Sequence, residues 1–240
     1  MTTLTKIIVA AILALTAVSC NFSFDTGIDG NGTVTTTERE LNGSFSSIET
    51  SRGLDVVLAQ GNTESVTVEA DENLQDLIVT EVKGDVLKIT TTKNIGWSAT
   101  KKVFVTFDDL SKITTDSGSD VSSENTLDLD NLKIDVSSGS HLKLTLNAEN
   151  LECSTSSGGN LTLSGEANSI KASANSGSDI SASNLETQIA IIHANSGANV
   201  SINTSKELTA EANSGGNISY YGNPDIVNNN KSLSGSVIAR

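Results

Sequence analysis

The chain has 240 residues, with 29 acidic against 15 basic side chains and a formal charge of −14. That balance argues against a nucleic-acid partner and against electrostatic docking on anionic lipid, since both need a cationic surface. Hydrophobic residues make up 36% of the chain but aromatics only 3%, so any core must be thin and aliphatic.

The N-terminus reads as an export signal. Met1 to Lys6 carries one positive charge, and Ile7 to Val18 is an apolar run of signal-core length, too short to span a bilayer. It ends Leu15-Thr16-Ala17-Val18-Ser19-Cys20, which resembles a bacterial lipoprotein lipobox with Ala17 where Leu is usual. On that reading residues 1–19 are a lipoprotein signal peptide, Cys20 is diacylated, and the protein is held on a membrane of the cell envelope, the outer membrane of a Gram-negative cell. Ordinary cleavage after Ser19 is the alternative, and it would leave Cys20 as a free thiol. Cys153 is the only other cysteine, so no disulfide framework is implied. Its place in the repeat of the second half is an inward one, that of a small buried hydrophobe.

Residues 20–37 are rich in Gly, Thr and Asn without a sustained period, the composition of a flexible tether. From 38 to 110 short apolar stretches alternate with turn residues. Strands are expected at Phe45–Thr50, Leu54–Leu58, Ser65–Ala70 and Lys102–Phe107. Leu77–Val82 and Val86–Thr90 flank Lys83-Gly84-Asp85, a hairpin signal. Asp71–Leu74 suggests one helical turn, and Ser51-Arg52-Gly53-Leu54 looks like a degenerate copy of the Ser-Gly phrase of the second half.

Beyond residue 111 that six-residue phrase recurs as Asp/Ser/Asn-Ser-Gly-small-polar-aliphatic. Its glycines are Gly118, Gly139, Gly158, Gly177, Gly197 and Gly215, spaced 21, 19, 19, 20 and 18 residues apart. Ser234-Gly235-Ser236-Val237 reads as a worn seventh copy. Before each glycine, apolar or small residues alternate with polar ones, as in Leu132/Ile134/Val136 and Ile170/Ala172/Ala174. The same holds after it, as in Leu142/Leu144 and Leu161/Leu163. Period two on both sides of a corner means strands joined by a bend, and a fixed repeat near 20 residues means stacked coils. The expected fold is all-β: a single-stranded, right-handed parallel β-helix or β-solenoid, with a less regular β-rich N-terminal half. Stacking puts equivalent residues in columns. One column holds the exposed turn serines. Another, the candidate interaction ladder, holds Asp120, His141, Asn160, Asp179, Asn199 and Asn217. Asn175, Asn195 and Asn213 can chain amides from rung to rung.

Several stretches resemble the head GIN domain family, the autotransporter-adhesin-like domains of Gram-negative envelopes. They are Glu40–Ile48, Gly53–Gly61 and Val66–Leu74, together with the later Ser-Gly turns and Tyr221-Gly222-Asn223-Pro224. The resemblance covers residues 38–240 and implies a β-helix-like solenoid (irregular over 38–110, regular over 111–240) and an exported location, and it implies little about function. It supplies no catalytic residues.

Chemistry is hard to find in the repeats. Residues 111–219 contain no Arg and no aromatic, so they lack both a charge stabiliser for acidic-sugar chemistry and a sugar-stacking platform. Asp120 and Asp179 share a column but lie three rungs apart, about 14 Å, long for a glycosidase pair. Neither His141 nor His193 has a Cys or Glu at zinc-ligand spacing. The turns lack the calcium-binding nonapeptide of β-rolls and offer Asn where carboxylates are needed. The expectation is a non-enzymatic envelope protein without metal or cofactor, meeting glycans or other envelope proteins through its ladders. A polysaccharide-binding or polysaccharide-processing β-helix protein is the alternative.

Overall fold

The computed structural model describes residues 26–231 and 234–240, so Cys20 and the leader lie outside the described residues. Among the described residues, seventeen strands belong to one sheet. In chain order the N-terminal half supplies β1 (Val34–Arg39), β2 (Ser47–Thr50), β3 (Asp55–Gln60) and β4 (Ser65–Asp71). A 3₁₀ turn at Glu72–Leu77 comes next, then β5 (Ile78–Lys83), β6 (Val86–Thr91), β7 (Lys101–Phe107), β8 (Lys112–Thr115) and β9 (Asp120–Ser123). The regular half supplies β10 (Leu127–Val136), β11 (His141–Thr155), β12 (Asn160–Ala174), β13 (Asp179–Ala194) and β14 (Asn199–Ala212). It closes with β15 (Asn217–Tyr221), β16 (Ile226–Lys231) and β17 (Ser236–Ala239).

From β10 onward each coil lies parallel on the one before it. The inward columns are those that alternation demands. Leu132, Leu151, Ile170, Ala190 and Leu208 stack, as do Ile134, Cys153, Ala172, Ile192 and Ala210, and all are buried. On the other side of the corner, Val121, Leu142, Leu161, Ile180, Val200 and Ile218 form the matching column. A second bend appears where two successive residues face outward, such as Glu149-Asn150 and Gln188-Ile189. Neither face could be buried by one coil alone, so each rung depends on its neighbours.

The N-terminal half is a solenoid too, but its coils do not stack in chain order. β2 lies between β6 and β8, and β3 lies between β7 and β9, all parallel. The first coil is therefore interleaved between the second and third. The chain runs out to the end of the stack, lays antiparallel β4 on β7 and β5 on β6, and returns. β1 then adds antiparallel to β4 as the outermost strand.

Two expectations are corrected here. The tether expected over 20–37 is built into the fold from residue 26 onward. Residues 34–37 belong to β1, whose Val-Thr-Thr-Thr-Glu-Arg suits a solvent-facing edge strand. Ahead of it, Gly30 N–H donates to Trp97 O at 2.6 Å, and Gly32 N–H donates to Asp71 Oδ1 at 2.6 Å. In the C-terminal copy, Ser236 pairs with Asn217. That register puts Gly235 beside Gly216 instead of at the corner position of Gly215. A Cβ at Gly235 would come within 2.0 Å of Ala212 O, so this glycine answers to close packing.

Candidate functional site

The corner that repeats in the sequence is a two-residue turn with both central residues left-handed. Ser117, Ser138, Ser157, Ser176, Ser196 and Ser214 have φ between 50° and 54°, and the glycines after them lie between 66° and 78°. The preceding residue accepts the closing bond, for example Ser140 N–H to Ser137 O at 3.1 Å. Positive φ at both positions is the type I′ pattern, which normally selects Asn-Gly. Added Cβ atoms at Gly118, Gly139, Gly158 and Gly177 would meet nothing within 4 Å. These glycines are therefore there for their dihedral angles and not for space. The degenerate copy is a true corner as well, with Arg52 at φ 65° and Gly53 at φ 70°.

Left-handed geometry also redirects a hydrogen bond. On either side of a corner a backbone N–H reaches back to the previous rung, as Ser137 does to Thr115 O and His141 to Ser119 O, both at 2.9 Å. At the corner the rotated Ser-Gly peptide points forward. Gly118 N–H donates to Ser138 O at 3.2 Å, and the pattern repeats through Gly139, Gly158, Gly177 and Gly197. The turns thus bond to one another without a break, and the serine side chains stand exposed in a column along the edge.

The structure brings all six residues of the candidate ladder together. Asp120, His141, Asn160, Asp179, Asn199 and Asn217 are successive register partners. The column extends below through Asp55 and Lys102 and above to Ser236. Side chains bond along it. His141 Nδ1 lies 3.1 Å from Asp120 Oδ1, Asn199 Nδ2 donates to Asp179 Oδ1 at 2.7 Å, and Asn217 Nδ2 donates to Asn199 Oδ1 at 3.1 Å. Asn160 turns instead to Gly158 O in its own corner. The Asp55 carboxyl is raised above its ordinary value, first by burial and also by the Asp120 charge, against the opposing pull of Lys101 and Lys102. The asparagine chain forms only in part. Asn195 Nδ2 reaches Asn175 Oδ1 at 3.3 Å, whereas Asn213 donates to Glu211. At the foot of that column Asp116 is lowered from its ordinary value. The Ser138 hydroxyl is the largest cause, aided by Ser137 and Ser117 and opposed by burial.

Neither histidine has an acid at ligand spacing in the sequence, yet register gives each one on an adjacent rung. His141 meets Asp120, and His193 Nδ1 lies 3.2 Å from Glu211 Oε2. These are pairs, and among the described residues no group of three or more His, Cys, Asp or Glu is placed to hold a metal. Cys153 is buried as expected, and its thiol is pushed up to about 12, mainly by burial.

One feature was missed from the sequence. Asp128, Asn147, Glu166 and Glu186 are register partners, and with Asp130 and Glu149 they line an acidic trench of about 580 Å³ at the second bend. Asn147 Nδ2 donates to Asp128 Oδ1 at 2.8 Å. Each lies eleven residues before a corner glycine (Gly139, Gly158, Gly177 and Gly197), a constant offset that falls beyond the apolar alternation leading into the corner.

A family described as "putative auto-transporter adhesin, head GIN domain" matches residues 44–224. The chain belongs to this family. No curated protein matches it. Among solved structures, a "putative adhesin" from Bacteroides fragilis NCTC 9343 superposes with TM-score 0.82 at 20% identity, over 89% of this chain and 100% of that one. A "putative lipid binding protein" from Parabacteroides distasonis ATCC 8503 gives 0.70 at 21%, over 89% and 99%. A "putative adhesin" from Parabacteroides merdae ATCC 43184 gives 0.68 at 18%, over 89% and 98%. At these identities the likeness is one of fold. The head GIN solenoid is shared, and the family points to the cell envelope or surface.

Proposed function

We propose that this head GIN protein is a non-enzymatic module of the cell envelope, lipid-anchored at Cys20 in the outer membrane, that adheres through its stacked corners. The carrying observation is the corner itself. At six successive rungs an exposed serine holds a left-handed backbone that asparagine or glycine would adopt at lower cost. Strain repeated at one exposed place is a mark of function. Beside this column runs the Asp120–Asn217 ladder, bonded from rung to rung on either side of Asn160, so the edge offers hydroxyl, amide and carboxylate groups at rung spacing, about 4.8 Å. Such a surface suits an extended partner, a glycan chain or a strand of another envelope protein, held by many weak bonds. The test is a binding screen against envelope polysaccharides and whole envelope fractions. Wild type is compared with a variant carrying Asp120→Ala, Asn160→Ala, Asn199→Ala and Asn217→Ala. Equal retention of the two on every fraction that binds wild type would falsify the ladder as the working surface. Release of a reducing sugar end by the wild type would replace adhesion with polysaccharide processing.

A further inference from the structure

The most exposed large apolar side chain among the described residues is Trp97, at 62%, and it is also the only tryptophan in the chain. Its position in the fold is distinctive. The loop that carries it joins β6 to β7, so it is the corner of the outermost parallel rung, at the N-terminal end of the stack.

The exposure does not come from a slack loop. Trp97 N–H donates to Asp29 Oδ1 at 2.8 Å, its carbonyl accepts from Gly30 N–H at 2.6 Å, and Ile95 forms a β-bridge with Ile28. Two residues on, Ala99 N–H donates to the buried Asp71 carboxylate at 2.8 Å. Glycine is required on both sides of this junction. A Cβ at Gly30 would lie 2.4 Å from Asp71 Oδ1, and one at Gly96 would lie 2.3 Å from Asp29 Oδ1. The fold therefore holds an indole ring in solvent with its backbone clamped. The clamp is the chain segment that begins the described structure, only five residues (21–25) after Cys20. Such a stretch reaches at most about 20 Å.

We infer that Trp97 seats the capped end of the solenoid on the bilayer that holds the acylated Cys20, its ring lying at the lipid headgroup level and the rungs projecting away. The inference rests on the lipoprotein reading of Cys20. Tryptophan prefers the membrane–water interface, where its apolar ring and N–H are both satisfied. A formal charge of −14 leaves the ring, not electrostatic attraction, as the contact. A diacylated Cys20 carries two acyl chains and already anchors the protein stably, so what the ring adds is orientation. With one end seated, the serine and Asp120–Asn217 columns, which run from rung to rung, extend outward from the membrane.

The test separates the anchor from the seat. The anchor is read in a Gram-negative host by metabolic labelling with an alkyne fatty acid, comparing wild type with Cys20→Ala. Loss of label in the variant supports acylation at Cys20, and an unlabelled wild type removes the anchor and with it the physiological seat. The seat is read on the mature chain, residues 20–240, coupled through Cys20 to a maleimide lipid in phosphatidylcholine vesicles. Cys153 is buried and its thiol is pushed up to about 12, which leaves Cys20 as the reactive thiol. Trp97 emission should move to the blue on coupling and lose roughly half its intensity when the acyl chains are brominated. Unchanged emission, with free access of an aqueous quencher, overturns the seat and leaves the anchor standing. A second variant, Trp97→Phe with Tyr221→Trp, moves the sole tryptophan to the last rungs, and there bromolipid quenching should be absent. Equal quenching at both ends means that the solenoid lies flat, and overturns the proposal.

Discussion

The two halves of this solenoid solve the same burial problem with opposite connectivity. In the regular half, each rung bonds to a neighbour about 19 residues away, as Asn150 does to Asn131. In the N-terminal half, the coil of β2 and β3 is held between coils contributed by later sequence, and Ser111 closes onto Ser46 across 65 residues. Stacking in chain order makes stability a sum of nearest-neighbour terms, so such a region can fray from its end. Interleaving removes that option, because β2–β3 cannot leave while β6–β7 and β8–β9 remain. The end of the stack is closed by antiparallel β1, β4 and β5. The other end shows β16 with Ile226 and Val227 exposed. One half acts as a foundation and the other as a growing stack.

The largest effect should come from removing the same side chain in each half. Leu58 and Leu208 are both fully buried, and truncating either to Ala should cost about 2–5 kcal/mol. In the interleaved coil, Leu58→Ala should lower amide protection together across β2, β3, β6, β7, β8 and β9. Leu208→Ala should instead release only the rungs from β14 onward. Hydrogen exchange resolved by peptide checks this, and a global loss in both variants would mean that the halves share one cooperative unit. Trp97 and Cys153 supply a second readout, since one sits in each half. Indole emission and thiol labelling during denaturation, in a Cys20→Ser background, should give separate midpoints.

A smaller effect is confined to the closed end. Asp71 is fully buried with no cationic partner among the described residues, and its carboxylate accepts from Gly32, Ala99 and Thr100 N–H groups. Burial alone would raise its carboxyl, but these donors outweigh it and the net shift is downward. A depressed carboxyl stabilises the fold above the ordinary carboxylate range and withdraws that support as pH falls through the lowered value. Acidification below about pH 4 should therefore free the amides of residues 30–33 and 97–100 before those of β11–β13. Asp71→Leu should produce the same local loss at neutral pH. Simultaneous release of both regions in acid would count against the carboxylate as the latch.

This contrast also explains what could be read from the sequence. The corners and inward columns of the regular half were legible because period and register coincide there. One aligned glycine predicts Leu132 over Leu151 over Ile170, and it predicts the Asp120–Asn217 ladder. In the N-terminal half, individual strands such as Ser65–Asp71 and the Gly84 hairpin were legible, because alternation is a local property. Their stacking order was not, since nothing local in Leu54–Leu58 says that its partners lie at 102–107 and 120–123. β1 was hidden by its polar composition, and the tie of residues 26–33 depends on Asp71, a residue 39 positions away from Gly32. The acidic trench keeps a constant offset too, eleven residues before Gly139, Gly158, Gly177 and Gly197, but it lies at the second bend, where no glycine and no apolar alternation marks a corner.

Within the regular half, two kinds of glycine should separate cleanly. Gly216 packs on the previous rung, and a Cβ there would come within 2.1 Å of Ala194 O. Gly216→Ala should cost about 2–3 kcal/mol through overpacking. Gly177 faces open space at φ 66°, so Gly177→Ala should cost only about 1 kcal/mol, the dihedral penalty. Urea midpoints of the two variants check the order, and the reverse order would mean that corner geometry, not packing, limits the stack.

The smallest effect has the opposite sign, and it bears most directly on function. Ser138, Ser157 and Ser176 occupy the first left-handed position of their turns, a place where asparagine is favoured because its short polar side chain tolerates that backbone. Each Ser→Asn change should raise stability by roughly 0.5 kcal/mol. Combining the three should lift the thermal midpoint of the regular half while leaving Trp97 emission unchanged. A chain under selection for stability alone has an easy improvement available at six corners, and it takes none of them. If the triple variant is more stable yet binds envelope fractions less well than wild type, the serine hydroxyls are kept for contact. If it is no more stable, the corners are already relaxed, and the strain argument for a working edge fails.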